Sequence, residues 1–315
     1  MKRFKILITT LLVVATAVAG LASWWLFQSN QVSINAQTRP STMKKIRKRP
    51  AKSKSVRLVA LGDSLTQGVG DQRKQGGYVG QIRQQLIKKD HLAVTTSNYG
   101  KAGDRSDQIQ ARLTASSAMQ KKVKSADAIV MTVGGNDLMQ GFQAATADGS
   151  TSIAKMDTAV ANTQRTYAAK LTSLLTQVRS LNPTAPIFLF SIYNPVYVYF
   201  ANVPQLNVYI NEFNQTTKSV GKPFARLYFM DINQRLSYGQ FDTVEKRAAL
   251  ATKDAQVNKN GVNGQTVEKS LMTNPDGELN KYLSPADHFH PNYTGYTQMT
   301  NVLYKTMQQH QQWRP

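Results

Sequence analysis

From Val56 onward, short apolar runs alternate with amphipathic stretches. Arg57–Leu61, Val94–Tyr99, Ala128–Val133, Ile187–Ile192 and Ala225–Ile232 read as five strands. Between them, the period lengthens to three and four residues. Tyr78–Lys89 reads as a helix, and a longer one repeats Tyr167, Leu171, Leu174, Leu175, Val178 and Leu181 until Asn182-Pro183 stops it. Gln205–Lys218 is a further helix, and a last one places Tyr296, Met299, Leu303 and Met307 on one stripe. Strands apolar on both faces, alternating with helices, predict an α/β domain with a parallel sheet covered on two sides. No internal repeat interrupts this order. Residues 234–283 are polar and weakly patterned, too long for a compact connection, and read as a lid or inserted subdomain.

The first 57 residues follow another logic. Lys2, Arg3 and Lys5 precede an uncharged run of 22 residues, Ile6–Phe27, long enough as a helix to span a hydrocarbon core of roughly 30 Å. Residues 1–27 read as a transmembrane anchor or a signal peptide. Cleavage after Ala19 or Ala22 fits the small-residue pattern, but Trp24-Trp25-Leu26-Phe27 prolongs the run and suits an interfacial belt. The anchor is the favoured reading. Only Arg39 lies close on the distal side, so the charge bias puts the N-terminus inside and the following domain outside. Residues 28–55 have no apolar periodicity and read as a basic tether, leaving 56–315 as the folded domain. The expected location is the cell membrane, single-pass with the domain extracellular; secretion after cleavage is the alternative.

Charge supports this division. The formal net charge is +21, and residues 1–57 hold twelve Lys/Arg with no Asp/Glu. Such a run is first a charge-extended spacer, and second an attachment to anionic lipid or wall polymer, at about 1 kcal/mol per Lys or Arg near a membrane. Nucleic acid would need a basic face on the folded part and is not expected as a partner. There is no cysteine, which excludes disulfides, thiolate metal sites, a catalytic thiol and a lipidated N-terminal Cys.

Chemistry-bearing residues gather where the strands end. Gly62-Asp63-Ser64 follows the first strand and precedes a helix; it is either a helix cap or a nucleophile at the carboxyl edge of the sheet, where open α/β folds bind ligands. It is not the Gly-x-Ser-x-Gly elbow, because Leu65-Thr66 follows. Gly103 lies beyond the second strand and can offer a backbone N–H. Asn136, in Gly134-Gly135-Asn136-Asp137 after the third, is a turn residue or an oxyanion donor. Asp287 and His290 stand three apart just before the last helix, a spacing that lets a carboxylate orient an imidazole. His91 and His310 read as surface residues. His288 and His290 with no third ligand make a poor zinc site, so neither metal nor cofactor is called for.

With these four blocks in order, the chain resembles the SGNH hydrolases, or GDSL esterases and lipases, over about residues 56–308. The blocks are Gly62-Asp63-Ser64-Leu65, Asn98-Tyr99-Gly100-Lys101-Ala102-Gly103, Gly134-Gly135-Asn136-Asp137 and Asp287-His288-Phe289-His290-Pro291. The resemblance implies a flavodoxin-like three-layer α/β/α sandwich around a five-stranded parallel sheet. It implies Ser64 as nucleophile, His290 as general base oriented by Asp287, and an oxyanion held by the Ser64 and Gly103 N–H groups and the Asn136 side chain. The expected activity is serine ester hydrolysis of the acylhydrolase or lysophospholipase-like kind, on a small-molecule or lipid ester. A cell-wall carbohydrate O-deacetylase and a non-catalytic envelope-binding module are the alternatives. The aromatic stretch Tyr193–Phe200 at the fourth strand end reads either as buried in the core or, preferred for a strand-end loop, as solvent-facing and suited to an acyl chain or sugar ring.

Overall fold

The computed structural model describes residues 55–146, 153–259 and 280–315. The expected anchor and tether lie outside the described residues, except Ser55, which opens the first strand. Among the described residues, no helix is long and apolar enough to cross a membrane.

Five strands form one all-parallel sheet: β1 (Ser55–Gly62), β2 (Ala93–Gly100), β3 (Ala128–Thr132), β4 (Ile187–Phe190) and β5 (Leu227–Met230). Their spatial order is β2-β1-β3-β4-β5. The chain therefore winds outward on both sides of β1, and the switch point lies between β1 and β3, where a doubly wound sheet opens a crevice. Alternation along each strand sends side chains to two separate cores. Val59, Leu61, Ile129, Met131, Ile187 and Leu189 enter one; Leu58, Ala60, Ala128, Val130, Phe188 and Phe190 enter the other. This period of two explains why the strands read as nearly unbroken apolar runs.

One face is covered by α2 (Gly77–Asp90) and α10 (Tyr293–Gln309), which supply Tyr78, Ile82, Leu86, Tyr296, Met299, Leu303 and Met307. The other carries α3 (Ser106–Ala115), α4 (Ser117–Lys124), α5 (Gly135–Thr146), α6 (Ile153–Leu181) and α7 (Pro204–Gly221). The three-layer α/β/α sandwich is thus the observed fold. In α6, the predicted stripe from Tyr167 to Val178 is fully buried, and Leu181 is partly so. Asn182 ends that helix by closing the turn into β4: its amide donates to the carbonyls of Val123 and Ala126, and its oxygen accepts from Thr184 and Ala185.

Two strands are shorter than their apolar runs. β4 stops at Phe190 because the Ile192 backbone turns to the Asn214 side chain, through bonds of 2.8 and 2.9 Å. β5 starts only at Leu227 because Arg226 holds φ at +57°, outside extended conformation. Helices α3, α4 and α5 escaped the periodicity. Each is short, and α3 and α4 bury only one four-residue apolar pair, Ile109/Leu113 and Met119/Val123. Part of the polar segment 234–283 is helical. The segment contains most of α8 (Asn233–Tyr238) and all of α9 (Val244–Lys259), while residues 260–279 lie outside the described residues. At its end, the buried Asn280 donates to the Leu236 carbonyl at 2.7 Å, fastening the chain to α8.

Candidate active site

Ser64 is the first residue of α1 (Ser64–Gln67), a single turn that leaves β1 at the carboxyl edge. The cap of this turn is not Ser64 but its neighbour. Asp63 is the cap, its carboxylate accepting from the Leu65 N–H at 3.0 Å, which leaves the Ser64 side chain free of that duty. Asp63 is itself buried. The Thr132 hydroxyl donates to it at 2.7 Å and also pairs with Thr66, which pairs with Tyr78, each at 2.7 Å. Burial pushes the Asp63 carboxyl above its ordinary value, against those bonds and the nearby charge of His290.

Gly103 follows β2 with φ at +82°, and a Cβ there would meet nothing. The glycine is required by its backbone angle rather than by crowding. Asn136 sits in the first turn of α5, directly after β3. One amide hydrogen of its Nδ2 is spent on the Asp104 carbonyl at 2.9 Å; the other remains to be directed elsewhere. Its neighbour Asp137 is buried and accepts both the N–H and the hydroxyl of Ser106, at 3.0 and 2.6 Å. The loop carrying Gly103 is thereby pinned to the start of α5.

The Asp287–His290 loop is closed at its base by a bridge between Leu283 and Pro291 and by the Ser284 N–H donating to the His290 carbonyl at 2.8 Å. Asn292 caps α10 through the Gly295 N–H and donates to the Leu283 carbonyl at 2.8 Å. Inside the loop, one Asp287 oxygen accepts the Phe289 and His290 N–H groups, both at 3.0 Å. The other meets His290 Nδ1 at 2.7 Å. Burial raises the Asp287 carboxyl, but the hydrogen bond and charge of His290 and the two N–H groups outweigh it, so the net shift is downward. Asp287 stays ionised and faces Nδ1, leaving Nε2 as the ring's other nitrogen. The loop after α1 clasps this region: the Tyr296 hydroxyl donates to the Val69 carbonyl at 2.6 Å, and a Cβ at Gly70 would press on His290.

Tyr193–Phe200 differs from its expected solvent-facing role. Tyr193, Tyr197, Val198 and Phe200 are buried. Tyr193 donates its hydroxyl to the Phe289 carbonyl at 2.6 Å, and Tyr199 meets His288 Nδ1 at 3.2 Å. These contacts hold the outer side of the Asp287–His290 loop, and only the folded chain reveals them. Beside them opens an apolar cleft lined in part by Gly135, Leu138, Met139, Phe142, Val196 and Phe289. His310 is part-exposed and stacks on Tyr228 with ring centroids 3.7 Å apart.

The 2-1-3-4-5 parallel sheet with helices on both faces defines a three-layer α/β/α fold. The chain belongs to the GDSL-like lipase/acylhydrolase family, whose model matches residues 60–298, and it is a carboxylic ester hydrolase. It is 25% identical over 255 residues to the uncharacterized protein YpmR of Bacillus subtilis, covering 79% of this chain and 80% of that one. The spore germination lipase LipC of Bacillus licheniformis is 26% identical over 166 residues, 53% of this chain and 75% of that one. Among solved structures, the lipase Lip_vut3 from a goat rumen metagenome shares the fold with a TM-score of 0.56 at 20% identity, covering 79% of this chain and 96% of the other.

Proposed function

We propose that the chain is an extracytoplasmic serine esterase working through an acyl-enzyme, with Ser64 as nucleophile, His290 as general base and Asp287 orienting it. The observation that carries the reading is the 2.7 Å contact between Asp287 and His290 Nδ1. An ionised carboxylate there fixes the tautomer in which Nε2 accepts the serine proton, and it stabilises the imidazolium that results. In the first step, Ser64 Oγ bonds to the ester carbonyl carbon and its proton passes to His290. The negative oxygen then lies before the Ser64 and Gly103 N–H groups and the free amide hydrogen of Asn136. Collapse expels the alcohol, protonated by His290; water repeats the sequence to release the acid.

The substrate class follows from the cleft. Its walls are mainly apolar, and Phe289 belongs both to the cleft and to the Asp287–His290 loop. This favours a short to medium acyl chain, carried by an amphiphile such as a lysophospholipid. The apolar run Ile6–Phe27 would keep the domain at a membrane, with the basic segment and the α2 and α4 lysines meeting anionic lipid. The test compares p-nitrophenyl esters, a lysophospholipid and an acetylated glycan on the full chain and on Ser64→Ala. The wild type should cleave the first two, and Ser64→Ala should lose several orders of magnitude and resist fluorophosphonate labelling. Near-normal turnover in Ser64→Ala overturns the nucleophile. Release of acetate from the glycan alone overturns the acyl-chain reading in favour of a deacetylase.

A further inference from the structure

Arg112 lies on α3, outside all four sequence blocks, yet its guanidinium meets three residues from two of the segments that form the site. Nε donates to the Asp104 carboxylate at 2.5 Å, Nη1 to the Tyr99 carbonyl at 3.1 Å and Nη2 to the Gly62 carbonyl at 3.1 Å. Only 25% of the Arg112 side chain and 6% of the Asp104 side chain is exposed. Gly62 stands two residues before Ser64, and its carbonyl also accepts the Lys101 N–H at 3.0 Å. Asp104 directly follows Gly103, and its own carbonyl takes one amide hydrogen of Asn136.

We propose that Arg112, through Asp104, is the positioning residue of the oxyanion hole. This rests on reading Ser64, Gly103 and Asn136 as the oxyanion donors. Those donors come from the ends of three different strands, β1, β2 and β3, beyond the point where the sheet ladder holds them together. Stabilising a developing negative charge requires donors fixed before the reaction, since reorganising them would consume the gain. A planar, permanently charged fork with directed N–H groups can hold two backbone carbonyls and a carboxylate in one arrangement; a lysine ammonium, a point charge on a flexible stem, cannot. Asp104 then transmits the restraint. Its carboxylate is held by Arg112, its peptide neighbour is Gly103, and its carbonyl turns the remaining Asn136 hydrogen toward the site. The bond from Asp104 to Arg112 therefore aligns two donors, and the bond to Gly62 aligns the strand end that delivers the third.

The experiment measures kcat and KM of the full chain on a p-nitrophenyl ester, with the folded fraction set by fluorophosphonate titration and thermal melting. Wild type, Arg112→Lys, Asp104→Asn, Asn136→Ala and the Arg112→Lys/Asn136→Ala double variant are compared. Arg112→Lys and Asp104→Asn should each lower kcat about 10- to 100-fold per titrated site, with KM within about 3-fold, the signature of misplaced transition-state donors. In the double variant, the combined loss should be smaller than the product of the single losses, because Arg112 acts partly through Asn136. Normal kcat per titrated site in Arg112→Lys, accompanied only by a lower melting temperature, overturns the proposal and leaves Arg112 a structural tie. If Arg112→Lys does not fold, Asp104→Asn decides: normal kcat there overturns it equally. Ser64→Ala separates the two layers. Full activity in that variant removes the nucleophile and unchanged kcat in Asn136→Ala removes the oxyanion reading, whereas an inactive Ser64→Ala and an impaired Asn136→Ala beside a normal Arg112→Lys remove only the positioning role.

Discussion

At the residue scale, each proposed catalytic group has a neighbour that determines its protonation or direction. Asn136 is the clearest donor to test, because one of its amide hydrogens is already committed to Asp104. Asn136→Ala should lower kcat about 10²- to 10³-fold, roughly 3–4 kcal/mol of barrier, with a smaller change in KM. Steady-state kinetics check this, and unchanged turnover would reduce Asn136 to a helix-start residue. Asp63 gives a prediction in pH. Its folded carboxyl titrates above the unfolded value of 3.8, chiefly because it is buried. A raised folded value means that the native state holds the proton more tightly, so Asp63 costs stability as pH rises through that value. Asp63→Asn retains an oxygen to accept from Thr132 and Leu65. Its melting temperature relative to wild type should therefore increase between pH 4 and neutrality; a difference independent of pH would show that Asp63 does not titrate in that window. Asp287 has the opposite sign. Its folded value lies below 3.8, so its contribution is present above the unfolded value and is lost only as pH falls further.

At the scale of elements, the Asp287–His290 loop depends on the helix that follows it. Asn292 both caps α10 and ties the loop base to Leu283 and Lys281. Asn292→Ala should cost about 1 kcal/mol for the lost cap, with a further loss from the carbonyls left unpaired. Because the same side chain holds the segment carrying His290, turnover should fall beyond what the unfolded fraction explains. Melting curves and kcat on one preparation check this together; a lower melting temperature with unchanged kcat would mean that the bridge and the Asp287 bonds hold His290 unaided. On the opposite wall, the Tyr193 hydroxyl performs a similar duty for Phe289. An aromatic stretch with no sequence mark of contact to His290 thus supports the loop next to it.

At the scale of the molecule, a parallel sheet with returning helices segregates its two edges. Strand carboxyl ends gather Ser64, Gly103 and Asn136, while helix C-termini gather at the other edge, where Lys88, Lys89, Lys121, Lys122 and Lys124 are exposed. The acids there are neutralised: Asp127 pairs with Arg57 and Asp90 with Arg314. β1 enters from this same edge. Replacing these five lysines with Gln in the full chain should weaken binding to vesicles containing anionic lipid, leave binding to neutral vesicles unchanged, and flatten the salt dependence. Cosedimentation across a salt series measures this. Equal anionic binding by both proteins would show that these five lysines take no part in it.

The chain order of apolar runs was enough to establish five strands, the two-sided burial of the inner three and the long helix α6, because strand and helix periods are local and survive without neighbours; the edge strands β2 and β5 are only partly buried. The motifs holding Ser64, Asn136 and Asp287/His290 stood out in the sequence for a related reason: each candidate group lies within a few residues of its neighbours, and Asp287 does meet His290 Nδ1 at 2.7 Å. Three kinds of information were not local. The order β2-β1-β3-β4-β5 depends on which strands pair, and α3, α4 and α5 depend on a sheet face to cover. The shorter ends of β4 and β5 depend on Asn214 and on the positive φ of Arg226. The partners that brace the site, Arg112 with Asp104 and Tyr193 with Phe289, stand 8 and 96 residues apart and carry no shared motif. Hydrogen bonds between such residues exist only once packing brings them within about 3 Å, and that distance is a property of the tertiary structure alone.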